Sequence, residues 1–509
     1  MKRSIQRRLQ REKEQIARRL APFVGGTRPR NAGRPELNGA GIVYEMSGRT
    51  RALSYGGIGV IHRMVHQLGL QRRLDQELGI LKRARPYQDS DHVLNIAYNI
   101  LCGGRTLDDI EHRRNDRAFL DAVGARAIPD PTTAGDFCRR FDGDAVWRLM
   151  RIINELRVNV WQRTAVANGT ARIDADGSIV GTCGERKQGM DLSFKGVWGY
   201  HPLLISLANT AEPLFLVNRS GNRPSYEGAP TALDQAIDLC HRAGFKDILL
   251  RGDTDFTMTQ HLDRWNAIGV RFVFGYDARR GFVDRANNIP DGEYVEMVRK
   301  ADLAFDDTKR RSQQPRVKEE IVYERQYLNK RLISEDLAEF EHKPNEAKGS
   351  YRVVVLRKLI NEERGQRCLN TYYRYFFYVT NDRSLSRHEV VAESNQRCNQ
   401  ENLIEQLKNG VRSLHAPLNT LDANWAYMAI ASLAWSLKAW FALLLPVAPR
   451  KRKAHEEDRQ ALLRMDFRTF LDHLILIPAQ IVRTGRRTVF RLLAWRRRIE
   501  LLFRLLQAT

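Results

Sequence analysis

At 509 residues with 43% hydrophobic content, the chain is long enough for roughly two to four domains around a large core and too apolar for a disordered polymer. A formal net charge of +23 makes a polyanion the expected partner, nucleic acid first and an anionic membrane surface second. The six cysteines (Cys102, Cys138, Cys183, Cys240, Cys368 and Cys398) form no CxxC pair and no Cys/His cluster at zinc spacing, which argues against a zinc finger or disulfide scaffold and fits reduced thiols in a cytoplasm.

Residues 1–55 read as a basic arm. MKRSIQRRLQREKEQIARRL lacks the apolar stretch of a signal peptide, and Arg3, Arg7, Arg8, Arg11, Arg18 and Arg19 recur at helical intervals until GGTRPRNAGRPELNG breaks the helix. A frayed, solvated terminus and a phosphate-binding arm are equally good readings.

Residues 56–165 read as a helical domain. GVIHRMVHQLGLQRRLDQEL places Val60, Ile61, Met64, Val65, Leu68 and Leu70 at helical spacing, with a basic face after them. DHVLNIAYNILCG starts behind Asp89 and Ser90 as candidate caps and stops at Gly103. TLDDIEHRRNDRAFLDAVG follows, then an IPDP break and TTAGDFCRRFDGDAVWRLMRIINELRVNVW. Short helices carrying arginine pairs, Arg139 and Arg140 among them, suit DNA binding.

From 166 to 278 the period shifts toward strands. ARIDADGSIVGT, YHPLLISLAN and EPLFLVNRSG are three strands; TALDQAIDLCHRAG is an amphipathic helix closed by Gly244. DILLRGD, MTQHLDRWNAIG and RFVFGYD continue as strand, helix and strand, an α/β layout. Residues 279–375 interrupt it with β-rich, aromatic segments: EYVEMV, VKEEIVYERQYL, SYRVVVLRKLI and TYYRYFFYVTN, the last expected to rejoin the core.

Residues 376–450 hold two helices. SNQRCNQENLIEQLKNG (394–410) carries Arg397, Glu401 and Lys408 on one stripe, because steps of four and seven nearly close whole turns. WAYMAIASLAWSLKAWFALLLP has the length of a membrane span, but Lys438 and recurring small and polar residues favour a buried core helix. Residues 451–509 follow the basic PRKRKAHEEDR hinge and read as a basic helical tail, with Arg486 and Arg487 alternating with apolar residues at helical spacing.

An Arg–Glu pair at i,i+4 is ordinarily a solvated face worth roughly 0.3–0.5 kcal/mol. Its company makes the difference. Asp174 and Asp176 in ARIDADGS, and Asp253 and Asp255 in ILLRGDTDF, both stand at ends of buried-strand patterns. Carboxylates on neighbouring elements are what two-metal phosphodiester chemistry requires, with Mg²⁺ held by a few acids plus water and substrate oxygens.

This combination resembles the DDE transposases of bacterial insertion sequences, in the branch whose signature is Tyr, two residues, Arg, three residues, Glu, six residues, Lys. Arg397, Glu401 and Lys408 match that spacing; Ser394 stands where the family has Tyr. The DHVLNIAYNILCGGRTLDDIEHRRND run and the Pro-Thr-Thr segment before Arg139 and Arg140 resemble the N-terminal part of one group of the family. The resemblance implies a ribonuclease H-like α/β core interrupted by the β-rich insertion. It implies Asp176, Asp253 and Glu401 as catalytic and metal-binding acids, with Asp174 and Asp255 as accessory or alternative ones. Arg397, Lys408, Arg139, Arg140, Arg486 and Arg487 become DNA contacts. Two Mg²⁺ ions, replaceable by Mn²⁺, terminal inverted repeats and target DNA as double-stranded partners, a homo-dimer or larger synaptic complex and a cytoplasmic, nucleoid-associated location complete the expectation. In some relatives aromatics of the insertion hold a flipped base; here Tyr323, Tyr327, Tyr372 and Tyr373 are the candidates.

Two other readings compete. DADGS also resembles the nucleophile motif of haloacid dehalogenase-type phosphatases, with Asp174 as nucleophile, Asp176 as acid/base and Asp253 and Asp255 as late Mg²⁺ ligands. The charge of +23 and the Arg/Glu/Lys helix weigh against it. A catalytically silent, DNA-binding transposase remnant is the other, favoured only by Ser394.

Overall fold

A computed structural model describes residues 11, 14, 15, 18, 50–82, 86–297, 328–365, 367–485, 487–494, 496 and 498–508. Nearly all of the basic arm, Tyr323, Tyr327, Arg486 and almost the whole VKEEIVYERQYL segment lie outside the described residues.

A nine-stranded sheet organises the chain. Its strands are β1 (Thr170–Gly177), β2 (Leu203–Leu207), β3 (Glu212–Val217), β4 (Asp247–Gly252), β5 (Arg271–Tyr276), β6 (Val295–Glu296), β7 (Leu328–His342), β8 (Tyr351–Arg364) and β9 (Arg367–Thr380), in the order β6-β7-β8-β9-β5-β4-β1-β2-β3. β1, β4 and β5 run parallel, while β2 is antiparallel to β1 and β3. The expected alternation of strands and helices is therefore present from 170 to 276, with helices at Ala229–Ala243 and Thr259–Ala267.

Period-2 alternation sorts the side chains into two cores. Ala171, Ile173, Ala175, Leu250, Phe272 and Phe274 join the main core. Leu249, Val273, Val354 and Leu356 point the other way, into a small core with Val390 and Val391 of the Arg387–Gln396 helix. By the same parity Arg172, Asp174, Asp176, Arg251 and Asp253 belong to the face that this helix covers.

On the main face, the Gly143–Gln162 and Leu421–Leu443 helices meet at Glu212, which is fully buried. It accepts from Arg157 Nε at 3.0 Å, Trp161 Nε1 at 2.9 Å and Trp440 Nε1 at 2.9 Å. Leu421–Leu443 is the one helix among the described residues long and apolar enough to cross a membrane, and 94% of its most apolar window is buried inside the protein. Lys438 within it is spared an unpaired burial: Nζ donates to Leu463 O at 3.0 Å and lies 3.8 Å from the Trp435 ring centre.

The insertion strands continue the sheet. Only Phe377–Thr380 of β9 pair with β5, whereas β8 pairs with β9 along its whole length. The outer halves of β7, β8 and β9 therefore extend past the core as a ribbon, with Tyr373 exposed upon it. A boundary after Tyr375 falls inside β9, because core and insertion share that strand.

Two expectations are corrected. The tail is not helical throughout: Ala479–Thr484 and Arg487–Leu492 form a hairpin, and only Ile499–Ala508 is a helix. QIVRT and RTVFR are rich in β-branched residues, and Thr484 pairs with Arg487, leaving a two-residue turn that begins at Gly485 with φ of 53°. Ala52–Leu53 adds a third strand, joining the two ends of the described chain. The 394–410 segment is likewise not one helix. Arg387–Gln396 ends at Arg397, Cys398–Glu405 begins there, and Gln406–Gly410 widens into a π-turn. Ser394, Asn395, Cys398, Asn399 and Asn402 are weak helix formers around the break, so side-chain anchors on either side of Arg397 decide the path.

Candidate active site

The β1–β4 register does the first assembly. Asp174 pairs with Arg251 in parallel alignment, the last pair of the ladder; two residues on come Asp176 and, just past the end of β4, Asp253, and Arg397 reaches both. Both leave the carboxyl ends of adjacent strands, where open α/β sheets form their sites.

Asp176 Oδ1 accepts from the Gly177 N–H at 2.8 Å. Its Oδ2 lies 3.2 Å from Arg397 Nη1, and Arg397 Nη2 lies 4.0 Å from Asp253 Oδ2. Burial pushes the Asp176 carboxyl up to about 6; Arg397 opposes the rise, and the Asp253 and Glu401 charges add to it. Burial also raises Asp253, with Arg397 opposing and Asp255 adding. Asp253 caps the short turn after β4, its Oδ1 accepting from the Asp255 N–H at 3.0 Å. Glu401 is exposed in the first turn of Cys398–Glu405, within electrostatic reach of Asp176. Lys408, on the π-turn, is half-buried; desolvation and Lys195 lower its ammonium, and Asp176 pulls it back.

The sequence reading gave Arg397 to DNA and to Glu401. In the structure its guanidinium lies against the two aspartates. Asp174 is held differently from Asp176. It is 1% exposed, and both its oxygens are bound by Arg251, at 2.7 Å and 2.9 Å. No oxygen is left for nucleophilic attack, which removes the phosphatase reading's first residue. Asp255 is exposed and contributes its backbone N–H to Asp253. Arg139 is engaged by Asp136 and Asn419, Arg140 is exposed next to it, and Arg487 lies in the C-terminal hairpin.

Five positioning residues escaped the sequence reading: Arg251, Glu393, Arg172, Gln400 and His201. Arg251 bridges Asp174 to Glu393 Oε2 at 3.1 Å, and Glu393 also binds Arg172 at 2.7 Å. This chain of charges fastens the Arg387–Gln396 helix to β1 and β4. Gln400 is buried and donates to Asp174 O at 3.1 Å and Leu204 O at 3.3 Å, fixing the start of the Glu401 helix on the sheet. His201 lies over Gly177, so close that a Cβ there would come within 2.6 Å of its Nε2. A sequence signal existed for Arg251: a cation inside the apolar run ILLRG must be paired.

Carboxylate oxygens suit a hard divalent cation such as Mg²⁺ or Mn²⁺. Asp176 and Asp253 fit one: half-buried, raised by burial and faced by a single guanidinium. As arranged, no three His, Cys, Asp or Glu side chains among the described residues stand close enough to hold an ion.

Paired aspartates at the ends of neighbouring parallel strands, facing an acid-bearing helix, define an α/β protein with an acidic centre. The chain belongs to the transposase DDE domain group 1 family, whose model matches residues 35–508. It is similar, with a TM-score of 0.34 and 10% identity over 82% of this chain and 81% of that one, to a piggyBac transposase solved as a synaptic complex with hairpin DNA. No curated protein matches it.

Proposed function

We propose that the chain is the DNA transposase of a bacterial insertion sequence, which binds terminal inverted repeats, cleaves DNA at the element ends and joins them to target DNA. The observation that carries this reading is the register that sets Asp176 beside Asp253, with Glu401 in electrostatic reach, in a chain of this family. The order β3-β2-β1-β4-β5, with β2 antiparallel and the rest of the arrangement as found, supports a ribonuclease H-like core at 166–278 and 376–450. The helical segment 56–165, the basic arm 1–55 and the tail 451–509 are assigned to DNA. The net charge of +23 favours this partner. Work on DNA places the protein in the bacterial cytoplasm, and two ends call for a dimer or larger assembly.

Asp176, Asp253 and Glu401 would hold two Mg²⁺ ions, which supply Lewis acidity to activate the attacking oxygen and stabilise the leaving one. Gly177 N–H and the Asp255 N–H each hold one oxygen of an aspartate and leave the other turned to the site. Arg397 neutralises the aspartate pair, and moving it toward a DNA phosphate would free both Oδ2 atoms. Lys408, whose charge reaches Asp176, would add a second cation beside the same phosphate. Gln400 and Glu393 hold the two helices against the strands and so fix the backbone that carries Glu401.

The test is cleavage of a plasmid carrying the gene's own flanks, with Mg²⁺, by wild type and Glu401→Ala. Cuts at the repeat ends by wild type alone support the reading. Cleavage by both proteins removes Glu401 from the site, and binding without cleavage by either favours a silent remnant.

A further inference from the structure

The end of the sheet away from the acids carries a cavity that the chemistry above does not use. Gly177 opposes Leu203 at the acid end of the β1–β2 ladder and Ile173 opposes Leu207 at the other, so the turn 208–211 between β2 and β3 leaves the far end. A cavity of about 510 Å³ lies between this turn, the Cys398–Glu405 helix, Trp435 of the Leu421–Leu443 helix and the end of the Arg452–Arg464 helix.

The turn is firmly held. Asn209 spends both ends of its amide on β1, accepting from Arg172 N–H and donating to Thr170 O, each at 2.9 Å. Trp435 Nε1 donates at 2.6 Å to the carbonyl of Ala211, whose backbone takes a left-handed φ of 53°. Within this frame Thr210 lines the cavity at 2% exposure, and its Oγ1 has no hydrogen-bond partner among the described residues. A buried hydroxyl is ordinarily paired, so this one calls for a partner from outside the chain.

The rest of the lining offers free donors. Asn399 and Asn402 stand three apart on one face of their helix, both exposed, with no side-chain partner among the described residues. At 100° per residue that face lies roughly 130° round the helix from Glu401, so a group bound there touches the helix without entering the acid centre. Arg464 is exposed and forms no ion pair among the described residues.

Charge decides the occupant. Lys438, buried behind the Trp435 ring at 3.8 Å from its centre, gives Nζ to Leu463 O and has no carboxylate in ion-pair contact among the described residues. Asp466 is the single carboxylate of the lining; Gln406 Nε2 donates to its Oδ1 at 3.1 Å, and its charge acts on Lys438. Arg464 is left over, a positive charge beside amide and hydroxyl donors. A cation would find one shared carboxylate, and an apolar ligand would strand the donors. A phosphate group supplies both a negative charge and several acceptor oxygens.

We propose that this cavity is a phosphate-binding subsite, in which Arg464, Asn399, Asn402 and the Thr210 hydroxyl hold the oxygens of a phosphate group carried by a nucleic-acid backbone or by a free phosphate compound. A phosphate held there ties the Glu401 helix to the β2–β3 turn and to the Arg452–Arg464 helix, and steadies from behind the backbone that carries Glu401.

The experiment follows backbone amide exchange of the full chain at constant ionic strength, in chloride, in inorganic phosphate and with a duplex of arbitrary sequence. Saturating phosphate is expected to slow exchange at 208–211 and 398–405 about tenfold or more in wild type. Arg464→Gln/Asn402→Ala alters exposed side chains only and should lose the slowing; Arg464→Lys, which keeps the charge, should retain part of it. Slowing by the duplex that the double variant loses assigns the subsite to backbone phosphate. Slowing by inorganic phosphate with none by the duplex assigns it to a free phosphate compound. No slowing by either probe, or equal slowing in wild type and the double variant, overturns the subsite. A gel shift on the same samples separates the two readings. Wild type that shifts the duplex while neither probe slows exchange loses the subsite and keeps the transposase reading. Wild type that responds to phosphate and shifts no duplex loses the transposase reading and keeps the subsite.

Discussion

Asp174 and Asp176 sit two residues apart on one strand face, yet their surroundings give them opposite work. Arg251 takes both oxygens of Asp174 in a buried pair; Asp176 keeps one oxygen toward a cation that can leave. Removing one partner of a buried pair costs about 3–5 kcal/mol. Arg251→Met should therefore lower the unfolding free energy by that amount in urea titration, while Asp176→Asn should leave stability near wild type and abolish cleavage. Near-equal stability of Arg251→Met and wild type would place Asp174 in solvent contact. The sequence shows an Asp-x-Asp motif and cannot say which aspartate is free. That depends on which residue of β4 lies opposite, a register set by the whole sheet.

Lys438 belongs to the same scale. Burial pushes its amine down to about 7, from 10.5 in the unfolded chain. Between those values the unfolded state binds more protons, so stability rises with pH across that window and is lowest below about 7. Lys438→Met, of similar volume, should therefore be more stable than wild type at pH 7, with the difference shrinking toward pH 10. Denaturation midpoints at the two pH values check this; a constant difference would show that Lys438 is not charged against its surroundings.

At the scale of elements, the Glu401 helix is placed by what precedes it. Glu393 and Gln400 anchor the backbone on either side of the break at Arg397. Gln400→Leu should lower the cleavage rate about tenfold or more, since small displacements of a catalytic group are expensive, while DNA affinity stays within a factor of two. A matched loss of affinity would mean that this helix binds DNA rather than carrying the chemistry. The strands of the core were legible as apolar runs such as ILLRG and LLISL, because strands covered on both faces leave little polar pattern to misread. The tail was misread for a physical reason. In a segment as short as RTVFRLL, apolar residues at helical spacing and at strand alternation nearly coincide, and the deciding signal is one glycine at the turn. The break at Arg397 was hidden because its causes, Asp176 and Glu393's partners, lie more than a hundred residues upstream.

For the whole molecule, the charge of +23 has to meet a polyanion. DNA affinity should fall steeply with salt, and each phosphate contact removed should reduce the logarithmic slope by roughly one. Arg487→Gln, on the exposed C-terminal hairpin, is expected to flatten the slope without altering the blunt-duplex site size. An unchanged slope would assign that hairpin to protein contacts. The hairpin also pairs with Ala52–Leu53, so truncation before Ala479 should loosen the N-terminal helices, seen as faster amide exchange there.

Asp176, Asp253 and Glu401, spread over more than two hundred positions, are proposed to converge on one cation centre. The most direct measurement replaces Mg²⁺ with Fe²⁺ and maps where locally generated hydroxyl radicals cut the protein backbone in the presence of duplex DNA. Cuts near Asp176, Asp253 and Glu401, all suppressed by excess Mg²⁺, are the predicted result. Cuts confined to the two aspartates, or located elsewhere, would contradict the three-acid centre.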